Sequence, residues 1–222
     1  MDEASLSYGE AVHDSNQERG GRTSASNAEQ RRRKVVIVGI PGVGKSTVVN
    51  KIVEMMSARN HKTSIVNYGT VMMEEASKLH GIKSRDDMRK LPVEVQRKLQ
   101  VYAASRISLI QEEFVIIDTH LFIATKEGYW PGMPLDVLQA LKPTHLVLVS
   151  ATVDEIKSRR ENDGTRARDS STMDSLSLEL EAARTLLFAS SLVCGCPALI
   201  VSNSSGKMDS AAGSVIDAVF TN

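Results

Sequence analysis

The chain predicts an α/β fold: a five-stranded parallel sheet with helices on both faces. Three observations carry this. Apolar, β-branched runs of six or seven residues recur from residue 34 onward, with amphipathic stretches of helical spacing between successive runs. The runs are nearly continuous rather than alternating, as strands buried on both faces are. The first run passes at once into a glycine-rich turn and then a helix.

The strands are expected at "KVVIVG" (34–39), "KTSIVN" (62–67), "EFVIID" (113–118), "THLVLVS" (144–150) and "PALIVSN" (197–203). Short right-handed crossovers would bring the loops that follow these strands to one edge of the sheet. Ligands bind at that edge in open α/β sheets, so the residues closing each strand are the ones to inspect.

The first strand ends in "GIPGVGKST", residues 39–47. Gly39, Gly44, Lys45 and Ser46 occupy the fixed places of G-x-x-x-x-G-K-[ST]. A turn this bare lets a ligand approach the backbone itself. Across Gly39, Ile40, Pro41, Gly42, Val43, Gly44, Lys45, Ser46 and Thr47, successive N–H groups would cradle a polyphosphate. Lys45 would reach the outer phosphates, and the Ser46 hydroxyl would ligate Mg²⁺. The helix starting at the lysine adds its positive end. It places Val48, Val49, Ile52, Val53 and Met56 on one face.

The third strand ends in Asp118, the expected partner of a phosphate-bound Mg²⁺. His120 stands two residues on and could touch substrate. After the second strand, "IVNYGTVMMEEASK" offers Gly69 for close approach and Thr70 as a cap or a ligand contact. In "SRDDMRKLP", Ser84 and Asp87 resemble a capping box opening a short helix. That helix carries Arg85, Arg89 and Lys90, and an arginine aimed at the site would grip an acceptor phosphate. The densest cationic stretch is "SRRENDGTRARD" (158–169), with Arg159, Arg160, Arg166 and Arg168 around one turn. Such a segment suits a hinged cover that neutralises charge and excludes water.

Residues 1–33 have few branched aliphatics and no sustained period, which predicts a flexible tail ahead of a domain at 34–222. Lysine plus arginine and aspartate plus glutamate each number 27, so the chain is formally neutral, which argues against a strong nonspecific grip on nucleic acid. The two cysteines, Cys194 and Cys196, are too few for a Cys₄ zinc site and read as small apolar residues of a reducing compartment. No apolar run approaches the ~20 residues of a membrane span, and from the acidic, polar start no signal peptide is expected. A cytoplasmic location is expected.

Together "GIPGVGKST", "VNYGTVMMEEA", "DDMRKL", "IIDTH", "KEGYWPGMP" and "RRENDGTRARD", in this order, resemble the archaeal-type adenylate kinases, P-loop nucleoside monophosphate kinases. The resemblance covers nearly all of 34–220. It implies transfer of the terminal phosphoryl group of ATP to AMP with Mg²⁺, giving two ADP. It also implies an acceptor-binding segment near 68–112, a short lid near 159–169, and trimeric assembly. By motif, the residues from Gly39 to Thr47 would hold ATP. Gly69, Thr70, Arg89 and His120 would lie on the acceptor side, and Arg159, Arg166 and Arg168 would belong to the lid. Lys45 and these arginines would form the catalytic set, with Ser46 and Asp118 at the metal. The chemistry needs no side-chain nucleophile, because AMP brings an ionised phosphate oxygen.

Other readings keep the loop and change the rest. UMP, CMP or another small acceptor could replace AMP. A GTP switch would need N-K-x-D, where "SGKMD" (205–209) has Gly206, and D-x-x-G, where "DTHL" lacks the glycine. An ATP-binding RNA assembly factor could use "RRRK", against neutral charge and few aromatics.

Overall fold

The computed structural model describes residues 32–125, 128–162 and 172–220. The tail up to residue 31 and the lid residues 163–169, Arg166 and Arg168 among them, lie outside the described residues.

Five strands form one parallel sheet: β1 (Arg33–Val38), β2 (Thr63–Asn67), β3 (Phe114–Asp118), β6 (His145–Ser150) and β7 (Ala198–Ser202). Their order is β2-β3-β1-β6-β7. Each expected strand is present, within a residue or so at its ends. β1, β3 and β6 run through the centre and are almost wholly buried, whereas edge strands β2 and β7 are half exposed. This matches the sequences, since "VVIV", "FVII" and "LVLV" are unbroken by polar residues.

Eight helices lie among the described residues: α1 (Lys45–Ala58), α2 (Tyr68–His80), α3 (Arg85–Arg89), α4 (Val93–Ser108), α5 (Leu135–Leu141), α6 (Val153–Glu161), α7 (Met173–Cys194) and α8 (Met208–Phe220). α1 packs on α8, while α4, α5 and α7 pack in a row. Right-handed crossovers place these two groups on opposite faces of the sheet. The α1 face is apolar as its spacing predicts, with Val48, Val49, Ile52 and Met56 buried and Val53 packed at the margin.

Two features differ from the sequence reading. A short antiparallel hairpin, β4 (Phe122–Thr125) and β5 (Gly128–Pro131), follows β3. Thr70 does not cap α2. Asn67 does, its Oδ1 accepting from the Thr70 N–H at 3.0 Å, because the chain already turns at the last residue of β2.

Chain order fixes the ligand edge. β1 connects toward β2 and β6 toward β7, so neighbours β1 and β6 send their connections in opposite directions. The crevice beyond their carboxyl ends is where open α/β sheets bind ligands, and the glycine-rich loop occupies it.

Candidate active site

The loop is shaped from beneath and from behind. Ile40 and Val43 point into the core, while Pro41, Ser46 and Thr47 are exposed. Gly42 and Gly44 adopt φ of 94° and 78°, the left-handed region that glycine enters at little cost. A β-carbon on Gly44 would also overlap the Asn203 carboxamide. Gly44 is the N-cap of α1 and brings no side chain to bond the first-turn N–H groups. Those donors and the positive end of a fourteen-residue helix are left for an anion.

At the end of β3 one carboxylate joins two sets of residues. The Lys45 amine donates to Asp118 Oδ1 and, at 2.8 Å, to the Thr119 carbonyl. The other carboxylate oxygen accepts from Asn67 Nδ2 at 3.0 Å. Strand register explains this: Asp118 is the β-ladder partner of Ile37 on one side and of Asn67 on the other. Burial pulls the Lys45 ammonium below its ordinary value, and the Asp118 carboxylate opposes that pull.

From Asn67 the network continues outward. Its Oδ1 also accepts from the Thr70 hydroxyl at 3.1 Å and from Arg85 Nη2 at 3.4 Å. Arg85 Nη2 donates to the Thr70 hydroxyl at 3.1 Å. Ser84 caps α3 by accepting from the Asp87 N–H at 3.1 Å, and this sets Arg85 on the first turn facing α2. Gly69 lies beside this group. A β-carbon there would meet only ordinary contacts, Asn67 Oδ1 at 3.5 Å and Arg85 Nη2 at 3.8 Å. The protein's own packing therefore does not require a glycine at this position. Arg89 stands apart, paired with Asp86 at 2.8 Å on the surface. Of the arginines on α3, the structure brings Arg85 to the Asp118 network and leaves Arg89 outside it. His120 is exposed at the turn into β4.

Arg159 and Arg160 belong to α6 and lie against the loop. Arg159 Nη1 reaches the Gly42 and Val43 carbonyls at 3.5 and 3.2 Å, and Nη2 reaches the Asn203 carbonyl at 2.9 Å. Arg160 Nε donates to the Pro41 carbonyl at 2.8 Å, and its guanidinium pairs with Glu179 at 2.7 Å. Thr152 and Glu155 form a full capping box that opens α6. The Glu155 carboxylate also accepts from the Ser205 N–H at 2.6 Å. That bond first, and the Thr152 hydroxyl second, hold its pKa down to about 2. Asn67 was not singled out from the sequence, and Asn203 only as the start of a loop, 203–207, expected beside the nucleotide base. Asn67 closes β2 and Asn203 directly follows β7, much the same position that singled out Asp118.

A family model described as "AAA domain" matches residues 38–177. The adenylate kinase of Methanocaldococcus jannaschii is 38% identical over 188 residues, 84% of this chain and 98% of that protein. The adenylate kinase of Sulfurisphaera tokodaii is 38% identical over 190 residues, covering 83% and 98%. That of Pyrococcus horikoshii is 43% identical over 143 residues, covering 64% and 71%. Among solved structures, shikimate kinase from Acinetobacter baumannii superposes with a TM-score of 0.54 at 14% identity, covering 89% of this chain and 98% of that one. Shikimate kinase from Bacteroides thetaiotaomicron gives 0.51 at 12%, covering 84% and 97%. These structures share the α/β kinase fold alone. The adenylate kinases go further, two of them 38% identical over more than four fifths of this chain and nearly all of their own length, and on them the chain belongs to the adenylate kinase family.

Proposed function

We propose that this chain catalyses ATP + AMP = 2 ADP. One observation carries the reading: Asp118 is bonded at once to the lysine of a phosphate loop and to Asn67, the cap of α2, which also holds Thr70 and Arg85. Donor and acceptor phosphates would thus meet across one carboxylate. The names of the sequence relatives support the choice of nucleotides.

In the reaction a phosphate oxygen of AMP attacks the terminal phosphorus of ATP. The bond from that phosphorus to the bridging oxygen breaks, and ADP leaves with the electron pair. Loop N–H groups would hold the donor phosphates, and Lys45 would turn from Asp118 toward the transferring group. Arg85 and Thr70 would orient the acceptor phosphate, and Arg89 would join them from the end of α3. His120 would border the acceptor. The lid near 159–169 would exclude water, with Arg166 and Arg168 facing the phosphates. The acceptor segment would span roughly 68–112, within a catalytic domain that opens with β1 at Arg33.

The donor set suits magnesium. The Ser46 hydroxyl at the start of α1 and the Asp118 carboxylate are hard oxygens, and few protein ligands leave places for phosphates and water. Among the described residues no three His, Cys, Asp or Glu side chains gather as a metal cage. Mg²⁺ held there by Ser46 and Asp118 would neutralise the charge that develops on the phosphates during transfer. Family likeness further suggests a trimer acting in the cytoplasm. No helix among the described residues is long and apolar enough to cross a membrane.

A coupled assay of ATP with AMP, UMP, CMP and GMP in turn tests the reading. ADP formation with AMP well above the other acceptors is expected. Preference for another acceptor, or turnover of ATP without one, would overturn it.

A further inference from the structure

We infer that Asn203 is a positioning residue of the phosphate loop, turning the peptide plane of Val43–Gly44 so that the Gly44 N–H faces the donor phosphates. The inference rests on the proposed ATP chemistry of that loop. It names a residue on a distant strand end as the part that sets the loop's shape.

The geometry is specific. Asn203 is 6% exposed, one of few buried polar residues in the described chain. Its Nδ2 donates to the Val43 carbonyl at 2.9 Å and lies 3.4 Å from the Gly44 carbonyl. Two carbonyl oxygens can be met only by the N–H₂ side of a carboxamide, so the orientation of the amide is not in doubt. In a planar trans peptide the C=O of one residue and the N–H of the next point in opposite directions. Holding the Val43 carbonyl toward Asn203 therefore turns the Gly44 N–H the other way, while the Gly44 carbonyl is also taken by the Val48 N–H at 3.2 Å in the first turn of α1. The Gly44 donor leads into α1, where an anion gains most.

Asn203 is itself held on two sides. Its N–H donates to the Ser150 carbonyl at 2.7 Å, tying it to the end of β6. Its carbonyl accepts from Arg159 Nη2, and Arg159 Nη1 reaches the same Val43 carbonyl. Arg159 in turn stands 3.9 Å from Glu155, which holds the Ser205 N–H two residues past Asn203. The brace joins β6, α6 and the loop after β7 behind the phosphate loop. It also explains why Gly44 is bare, since any side chain there would displace the carboxamide. A carboxamide committed to two loop carbonyls is not available to read a base. Arg159 then supports the loop as well as standing at the lid.

The test compares the full chain with Asn203→Ala, Asn203→Asp and Asn203→Ser by calorimetric titration of MgATP and, separately, of AMP. Steady-state kinetics and melting curves accompany it. Asn203→Ala should weaken ATP by about tenfold and leave AMP within about twofold. Asn203→Asp keeps the shape but presents oxygen to oxygen, so its ATP loss should be larger. Asn203→Ser retains a shorter donor and should fall between Ala and wild type. A part that merely filled space would lower melting temperature and the active fraction, with both dissociation constants unchanged. That result overturns the inference, as does an equal loss for ATP and AMP. Should Asn203→Ala or Asn203→Asp fail to fold, Asn203→Ser alone decides, since unchanged ATP affinity in a folded protein would refute the role. Wild-type turnover of ATP with AMP reads the proposed reaction independently. If that fails, the ATP titrations still report on Asn203.

Discussion

Replacing Lys45 with methionine should separate binding from chemistry and expose the cost of the ion pair. The Lys45 and Asp118 side chains are 10% and 18% exposed, so the pair is largely shielded from water. Removing one partner of a fully buried pair costs about 3–5 kcal/mol. Here Asp118 keeps the Asn67 bond at 3.0 Å and some water, and methionine refills the stem's volume. We therefore expect about 1–2 kcal/mol, near the worth of a charged hydrogen bond. For a domain of this size that lowers Tm by roughly 2–8 °C. Catalysis should suffer more. Loss of a preorganised donor at the transferring group costs about 10²–10³ in kcat. ATP binding should weaken only modestly, because backbone N–H groups still hold the phosphates.

The assay is a coupled rate measurement with ATP and AMP each varied at saturation of the other, beside a nucleotide-free melt. A kcat within about threefold of wild type, or an unchanged Tm, would refute the reasoning. Asp118→Asn adds a check. Asp118 is what opposes the pull of burial on Lys45, so its loss should push the lysine's pKa lower still. The double variant should then be less damaged in stability than the two single losses summed. Strict additivity would mean that the pair contributes nothing as a pair.

Gly44→Ala, at φ 78° and against Asn203, should destabilise the fold by about 1–3 kcal/mol and weaken ATP binding, as read by melting and calorimetry. Arg85→Ala should raise the KM for AMP by about tenfold with the KM for ATP unchanged, and Arg89→Ala should raise it less. The reverse ranking would assign the acceptor phosphate to Arg89, the arginine favoured by sequence. Glu155 has a depressed pKa of about 2. Its contribution to stability is thus complete above its ordinary 4.5 and is lost as pH falls toward about 2. Tm of the wild type should drop across that window and that of Glu155→Gln should drop less steeply, while equal slopes would show that the Ser205 and Thr152 bonds leave Glu155 no special share.

The sheet was legible because its strands are spelled in unbroken β-branched runs and its loop in glycines that no strand or helix would choose. The hairpin was not. "FIAT" and "GYWP" are four residues each, too short for a period to show, and the second ends in proline. Its reason is tertiary: the Gly132 N–H donates to the Leu121 carbonyl at 2.7 Å, and a β-carbon at Gly132 would collide with the backbone of His120. The site was half legible. Residues at strand ends can be found by scanning, and Asp118 was. What they touch depends on strand order, and order β2-β3-β1 is not written in any local pattern. Asn67 and Asp118 are 51 positions apart in sequence and partners in the ladder.

The arginines show where a further step from sequence was possible. α6 buries one residue, Ile156. Arg159 and Arg160 follow it by three and four positions, so helical geometry puts both on the face Ile156 buries. Counted as members of a charged loop, they read as parts of a cover over the phosphates. Counted from Ile156, they read as parts of a wall. The structure agrees with the second count, since a β-carbon on Gly42 would lie 3.1 Å from both Ile156 Cγ2 and Arg160 Cγ. The last turn of α6 is thus occupied with the loop's carbonyl oxygens, and a cation spent on those oxygens is not free to swing onto a phosphate without releasing the loop that holds it.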